Sequence, residues 1–170
     1  MISNTQIKGK ISYKLYDKDW NIKQVGETDN VITTQGSKYY ADRLGTTGGS
    51  VAQLFVLGTS SSAVATTDTW VGSAFSGNGT LAGTAGSVTY LRNSGTLNSL
   101  QYVGTFSAGY ATQDGITRVG LTNMVASADG NGTPNGTSTY FISHGTITPT
   151  VNKGASDTLV VTWDHLFTGS

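Results

Sequence analysis

His144 and His165 are the only imidazoles in the chain, so general acid–base chemistry near neutral pH would have to start from them. A nucleophilic triad sets a histidine between a carboxylate and a hydroxyl. Asp164 or Asp157, with any of 18 serines, supplies the residue types. So many serines make that combination a matter of chance, and the strand neighbours Asp164 and His165 point to opposite faces. A metal centre needs several converging carboxylates or imidazoles. Here Glu27 is the sole glutamate and the aspartates are scattered. Asp129-Gly130-Asn131 opens like a calcium loop. However, Pro134 stands where the sixth position needs Gly, and Tyr140 where the twelfth needs a bidentate Glu. Gly77-Asn78-Gly79 with Gly83 places its third glycine one residue late for a dinucleotide fingerprint. The Asn-Gly-Thr triplets at Asn78, Asn131 and Asn135 read as turn chemistry, because Asn-Gly supplies positive φ cheaply. The expectation is a protein without catalytic residues, cofactor or metal, for which a small-molecule ligand is not expected.

Composition narrows the class further. Of 170 residues, 23 are Gly, 27 Thr and 18 Ser, while only 12% are charged and the formal net charge is zero. Thr, Ser and Gly suit strands and turns and make poor helix interiors. With no cysteine, a disulfide scaffold, a zinc knuckle and a thiol nucleophile are excluded together. Balanced charge gives no electrostatic reason to bind nucleic acid. No apolar run approaches the roughly 18 residues that cross a bilayer, and the first residues lack a signal-peptide core, which implies synthesis in a cytoplasm. Twelve of the twenty charges fall in residues 1–43. The charge-poor remainder is either covered by a partner or a wet Thr/Ser/Gly surface.

The elements follow from periodicity. Ile7, Ile11, Tyr13 and Leu15 alternate with Lys8, Lys10, Ser12 and Lys14, the mark of a strand with one buried face. A turn at Asp17-Lys18-Asp19 returns the chain through Trp20–Val25 as a hairpin whose lysines would guard a sheet edge. A short helix is expected near residues 35–44, with Thr34 or Ser37 as N-cap, Tyr40, Ala41 and Leu44 on one face, and Gly45 closing it. Val51–Leu57 is almost entirely apolar and reads as a central, doubly buried strand. Residues 58–86 read as an excursion pinned by Trp70 and Phe75. Strands are expected again at Ser87–Arg92, Leu100–Ser107, Ile116–Val125, Thr139–His144, Thr146–Val151 and Thr158–Phe167. The fold expected is all-β: a mainly antiparallel, jelly-roll-like β-sandwich in a single domain spanning 1–170. Within it, residues 1–29 form an N-terminal strand and hairpin that reaches a neighbouring subunit. Tyr39, Tyr40, Trp70, Tyr90, Tyr102, Tyr110 and Trp163 are either core packing or a sugar-binding platform.

Three segments, taken in order, carry a resemblance. They are Asn30-Val31-Ile32-Thr33-Thr34-Gln35-Gly36 before the helix, then Leu54–Thr59 with Ala65–Trp70, and then Arg118–Asn123 with Lys153 and Asp157–Trp163. This order resembles small structural proteins of tailed-bacteriophage virions, with Trp70 standing where that pattern carries Leu. The resemblance implies a non-enzymatic virion protein, foremost a capsid decoration (cement) protein on the outer head surface. Its implied partners are the major capsid protein and copies of itself, a trimer being favoured, with no nucleic acid and no membrane. A tail, baseplate or fibre component, or a carbohydrate-binding adhesion module, is the alternative. The expected contact residues are Lys8, Lys10, Lys14, Trp20, Trp70 and Phe75, with the loops at 45–50 and 58–86.

Overall fold

The computed structural model describes residues 6–45, 52, 54–71, 89–92, 99–123 and 140–168. These form β1 (Gln6–Tyr16), β2 (Ile22–Ile32), α1 (Thr34–Gly45), β3 (Leu54–Gly58), β4 (Thr89–Arg92), β5 (Ser99–Phe106), β6 (Gln113–Thr122), β7 (Phe141–Lys153) and β8 (Thr158–Thr168). The protein is therefore mostly β with a single described helix. All eight strands join one antiparallel sheet in the order β3-β6-β7-β2-β1-β8-β5-β4.

The sheet curls because β2 serves two neighbours. Its residues from Ile22 to Asp29 pair with β1, whereas Asn30–Ile32 pair with β7. The curl carries the β3 edge over β8, so the rings of Phe55 and Trp163 meet with centroids 5.9 Å apart. The facing surfaces are apolar, and Ile11, Phe55, Phe106, Ile116, Leu159 and Trp163 have no exposed area. Removing that much apolar surface from water is the main stabilising term of the fold.

The alternation read in β1 holds: Ile11, Tyr13 and Leu15 are buried while Lys8, Lys10 and Lys14 face solvent. Those lysines do not guard an edge, however, since β1 lies inside the sheet between β2 and β8. The apolar segment around Leu54–Gly58 is buried on both faces as expected, yet β3 is an outer strand of the described sheet and not a central one. Two strands expected either side of Gly145 are one continuous β7. That glycine marks a close approach, because a Cβ there would sit 2.0 Å from Ile11 Cδ1. The expected strand start at Ser87, the turn at Asn93–Gly95 and the turn around Asp129–Gly136 lie outside the described residues.

The helix falls where expected, but its cap and its buried face differ. Thr33 is the N-cap: its Oγ1 accepts the Gly36 N–H at 2.9 Å, and its carbonyl accepts the Ser37 N–H at 2.9 Å. The same fully buried hydroxyl donates to the Phe141 carbonyl, and Thr33 N–H donates to Ile142 O at 3.1 Å. Thr33 therefore ties the end of β2, the start of α1 and the first residues of β7 together. Seated on β7, the helix buries Gly36, Tyr39 and Tyr40 and leaves Ala41 and Leu44 exposed.

Two substitutions test this junction by urea denaturation. Thr33→Ala loses about 2 kcal/mol through the missing cap and the unpaired β7 carbonyl, while Thr33→Ser keeps most of it. Gly36→Ala ordinarily stabilises a helix by about 1 kcal/mol. Here it destabilises, because the new Cβ would lie 1.9 Å from Ile142 O. Stabilisation by Gly36→Ala would contradict the packing of α1 on β7.

Candidate functional site

The β1–β2 hairpin holds four of the residues expected to make contacts. Its turn is built by Asp17, whose carboxylate accepts the N–H groups of Asp19 at 2.8 Å and Asn21 at 2.9 Å and the Asn21 side-chain amide at 3.1 Å. These bonds, the Asn21 amide foremost, hold the Asp17 carboxyl below its ordinary pKa. The turn closes with Trp20 N–H on Asp17 O at 3.1 Å, which leaves Trp20 at φ +63°. Bulky residues rarely adopt that left-handed region, and Trp20 is nonetheless 66% exposed, its ring resting on Tyr16 with centroids 5.4 Å apart.

Beside Trp20, Ile22 and Val25 are also exposed, so three of the five large exposed apolar residues among those described lie on this hairpin. The register of β1 and β2 shifts between Leu15 and Tyr16: Gln24 faces Leu15 and Ile22 faces Tyr16, leaving Lys23 as an extra residue. Lys23 reaches the largely buried Asp157 at 2.6 Å. Burial alone would raise the Asp157 carboxyl, but the Lys23 ammonium and the Gly154 N–H more than offset it, and its pKa is lowered. Lys10 pairs with Glu27 at 2.6 Å and Lys18 with Asp19 at 2.7 Å, both in the open. Such exposed pairs contribute about 1 kcal/mol or less. Gly109 N–H bonds Ala155 O at 2.7 Å, so the β5–β6 turn with exposed Tyr110 sits at the same sheet end as the hairpin tip.

Trp70 is elsewhere. It is half-buried against Phe141, with centroids 5.7 Å apart, on the segment 59–71 that crosses β6 and β7. The structure therefore spreads Lys8, Lys10 and Lys14 along the outward side of β1, puts Trp20 at the turn beyond its Lys14 end, and separates Trp70 from them. Phe75, with the loops at 46–50 and 72–86, lies outside the described residues. Of the aromatics weighed as a sugar platform, Tyr39, Tyr40, Tyr102 and Trp163 are buried in the core.

Both histidines sit in buried polar clusters that sequence spacing did not reveal. His165 has no exposed area. Its Nε2 meets Ser143 Oγ at 2.9 Å and Asn30 Nδ2 at 3.3 Å, and its Nδ1 bonds the Tyr40 hydroxyl. With the Asn30 amide oriented so that Nδ2 donates to the ring, Nε2 accepts and Nδ1 carries the proton. The rings of Tyr40, Tyr102 and Trp163 wall the imidazole in. A serine–histidine pair sealed this way is a structural hydrogen bond, because neither atom meets solvent. Burial drives the His165 pKa down to about 3. His144, also lowered by burial, bonds Asp68 Oδ2 through Nδ1 at 2.7 Å and holds the 59–71 segment against β7. The acids proposed for a triad sit apart from His165: Asp157 serves Lys23, and Asp164 accepts from Gln101 at 2.7 Å. Among the described residues, no group of three His, Cys, Asp or Glu side chains gathers to hold a metal.

No protein-family model matches the chain, no curated protein matches it, and no solved structure matches it.

The neutral His165 fixes a pH dependence. Its folded pKa of about 3 lies below the unfolded value near 6.5, so the unfolded state binds the extra proton between them. Stability is fully present above pH 7 and falls as acid approaches pH 3, by about 4 to 5 kcal/mol from this residue alone. Urea midpoints measured from pH 7 to pH 4 should fall steadily, and flat midpoints would contradict an uncharged, buried His165.

Proposed function

We propose that this chain is a non-enzymatic structural protein of a tailed-phage virion, acting as a capsid decoration protein on the outer surface of the head. The observation that carries the proposal is the hairpin tip. A tryptophan is held out to solvent in a left-handed backbone conformation, next to exposed Ile22 and Val25 and among Lys14 and Lys18. A strained, exposed aromatic costs stability in the isolated chain, and such outliers cluster where a protein meets a ligand or partner. Large exposed aromatics are also the side chains that anchor interfaces. The rest of the chain suits the role. Charge is sparse, both histidines are locked in the core, and the surface hydroxyls resist neither burial nor hydration.

In this reading the curled sheet is a sandwich-type shell fold with two apposed halves. The hairpin, residues 7–25, reaches across to a capsid subunit or to an adjacent copy. The partners are the major capsid protein and further copies of this chain, and the protein resides on the virion. The segments that resemble virion proteins support the choice of particle, and the exposed hairpin supports the means of attachment.

Immunogold electron microscopy of the particles, with an antibody against this chain, tests the placement. Label distributed over the head supports decoration, label confined to the tail replaces it with a tail role, and unlabelled particles overturn both. Trp20→Gly tests the attachment. Glycine accepts φ +63° without strain, so the variant is at least as stable as the parent in urea. It nevertheless pellets with heads at least about tenfold more weakly. Loss of stability together with unchanged pelleting would show that Trp20 serves the fold instead.

A further inference from the structure

We propose that the Asp114–Gly115 bond is a site of spontaneous backbone rearrangement, through a succinimide to isoaspartate, and that Asn152 holds this rearrangement back. The reaction belongs to the chain itself and is independent of the particle reading above.

The chemistry needs a carboxyl followed by a residue that does not crowd its own nitrogen. The Gly115 nitrogen attacks Cγ of Asp114 in its acid form, a new N–Cγ bond closes a ring, and the hydroxyl leaves as water with the amide proton. Water then adds to one of the two ring carbonyls and opens the ring. Addition at Cγ restores aspartate. Addition at the main-chain carbonyl breaks the original peptide bond. The chain then runs through Cβ and Cγ, and the former main-chain carbonyl becomes a free carboxylate. Water is the only co-reactant.

The bulge in β6 favours this bond. Gln113 faces Lys153 and Ile116 faces Val151, so Asp114 and Gly115 stand against Asn152 alone and leave the regular ladder. Gly115 has φ +76°, and a Cβ placed on it would meet nothing within 4 Å, so its nitrogen is uncrowded and a ring has room to form. Asp114 is exposed, and among the described residues its carboxylate makes no hydrogen bond or ion pair that would hold it away.

The same peptide unit is tied at both ends. Gly115 N–H donates to Asn152 Oδ1 at 2.9 Å, and the Asp114 carbonyl accepts from Gln113 Nε2 at 2.9 Å. Ring closure needs this peptide plane to turn until the nitrogen faces Cγ, and that turn breaks the Asn152 bond. Losing the bond beforehand speeds closure about fivefold. The product carries one extra backbone carbon between Gln113 and Ile116, next to the β5–β6 turn with exposed Tyr110.

Labelling of the folded chain in heavy-oxygen water at pH 6 decides the matter. Asp129-Gly130 and the Asn-Gly pairs share these residue types, but trypsin frees residues 93–118 as a peptide whose only acid is Asp114. After digestion in ordinary water, fragmentation of that peptide in a mass spectrometer reads the label at residue 114, and isoaspartate elutes apart from aspartate. Asn152→Ala and its near-isostere Asn152→Leu, both lacking the acceptor, label residue 114 at least about fivefold faster than the wild type. Asn152→Asp keeps an acceptor oxygen across the bulge and labels within about twofold of the wild type. Asp114→Glu, one methylene too long for the favoured ring, takes up no label there. Circular dichroism and urea midpoints verify folding of each variant. Equal labelling in the wild type, Asn152→Ala and Asn152→Leu overturns the proposal. So does Asn152→Asp labelling as fast as Asn152→Ala, or no label at residue 114 in any variant.

Discussion

A fully buried histidine must stay uncharged and hydrogen-bonded for this fold to exist. His165 draws on four elements at once: its own strand β8, Ser143 of β7, Asn30 of β2 and Tyr40 of α1. A polar ring with no solvent costs several kcal/mol if its nitrogens go unpaired. The relative placement of those four elements is thus fixed by chemistry as well as by packing. Because β2 is the strand on which the sheet curls, Asn30 carries that constraint to the point where its pairing passes from β1 to β7. Thr33, three residues on, repeats the device by holding the helix start to the β7 carbonyls.

Among the described residues, these polar locks engage both imidazoles, His165 through both ring nitrogens and His144 through Nδ1. Ser143 and His165 lie within hydrogen-bond reach, yet they serve one another, and His144 is spent on holding Asp68. The residues proposed for recognition lie outside: lysines along β1 and an apolar tip at Trp20, Ile22 and Val25. The division is physical. The inward residues of β1 build the core, and the outward residues of the same strand are free to meet a partner without disturbing it.

Some of this was legible in the residues. Strict alternation in β1 gave the correct buried face, since period-two patterning is unambiguous when lysine and isoleucine take turns. The helix was placed within a residue or so at each end. Thr34 and Ser37 are as plausible a cap as Thr33 on residue type alone, and only the approach of β7 selects Thr33. Gly145 read as a break, although it is a gap left for Ile11. An apolar run signals burial and does not signal position in a sheet, so β3 looked central. The Ser143–His165 pair is created by the curl of the sheet, and the strained backbone of Trp20 follows from turn bonds to Asp17. Neither leaves a trace in spacing. The candidate site was legible as lysines facing outward and as Trp20 at the turn. The exposure of Ile22 and Val25 depends on a register shift that composition does not reveal.

The central claim is that a locked interior presents the hairpin to a partner on the particle. Amide hydrogen exchange of the chain, free and bound to heads, addresses it directly. Exchange at residues 17–25 should be fast in the free chain and strongly protected when bound, with β7, β8 and the start of α1 slow in both states. Protection that appears at the 59–71 segment instead, with residues 17–25 unchanged, would contradict the account.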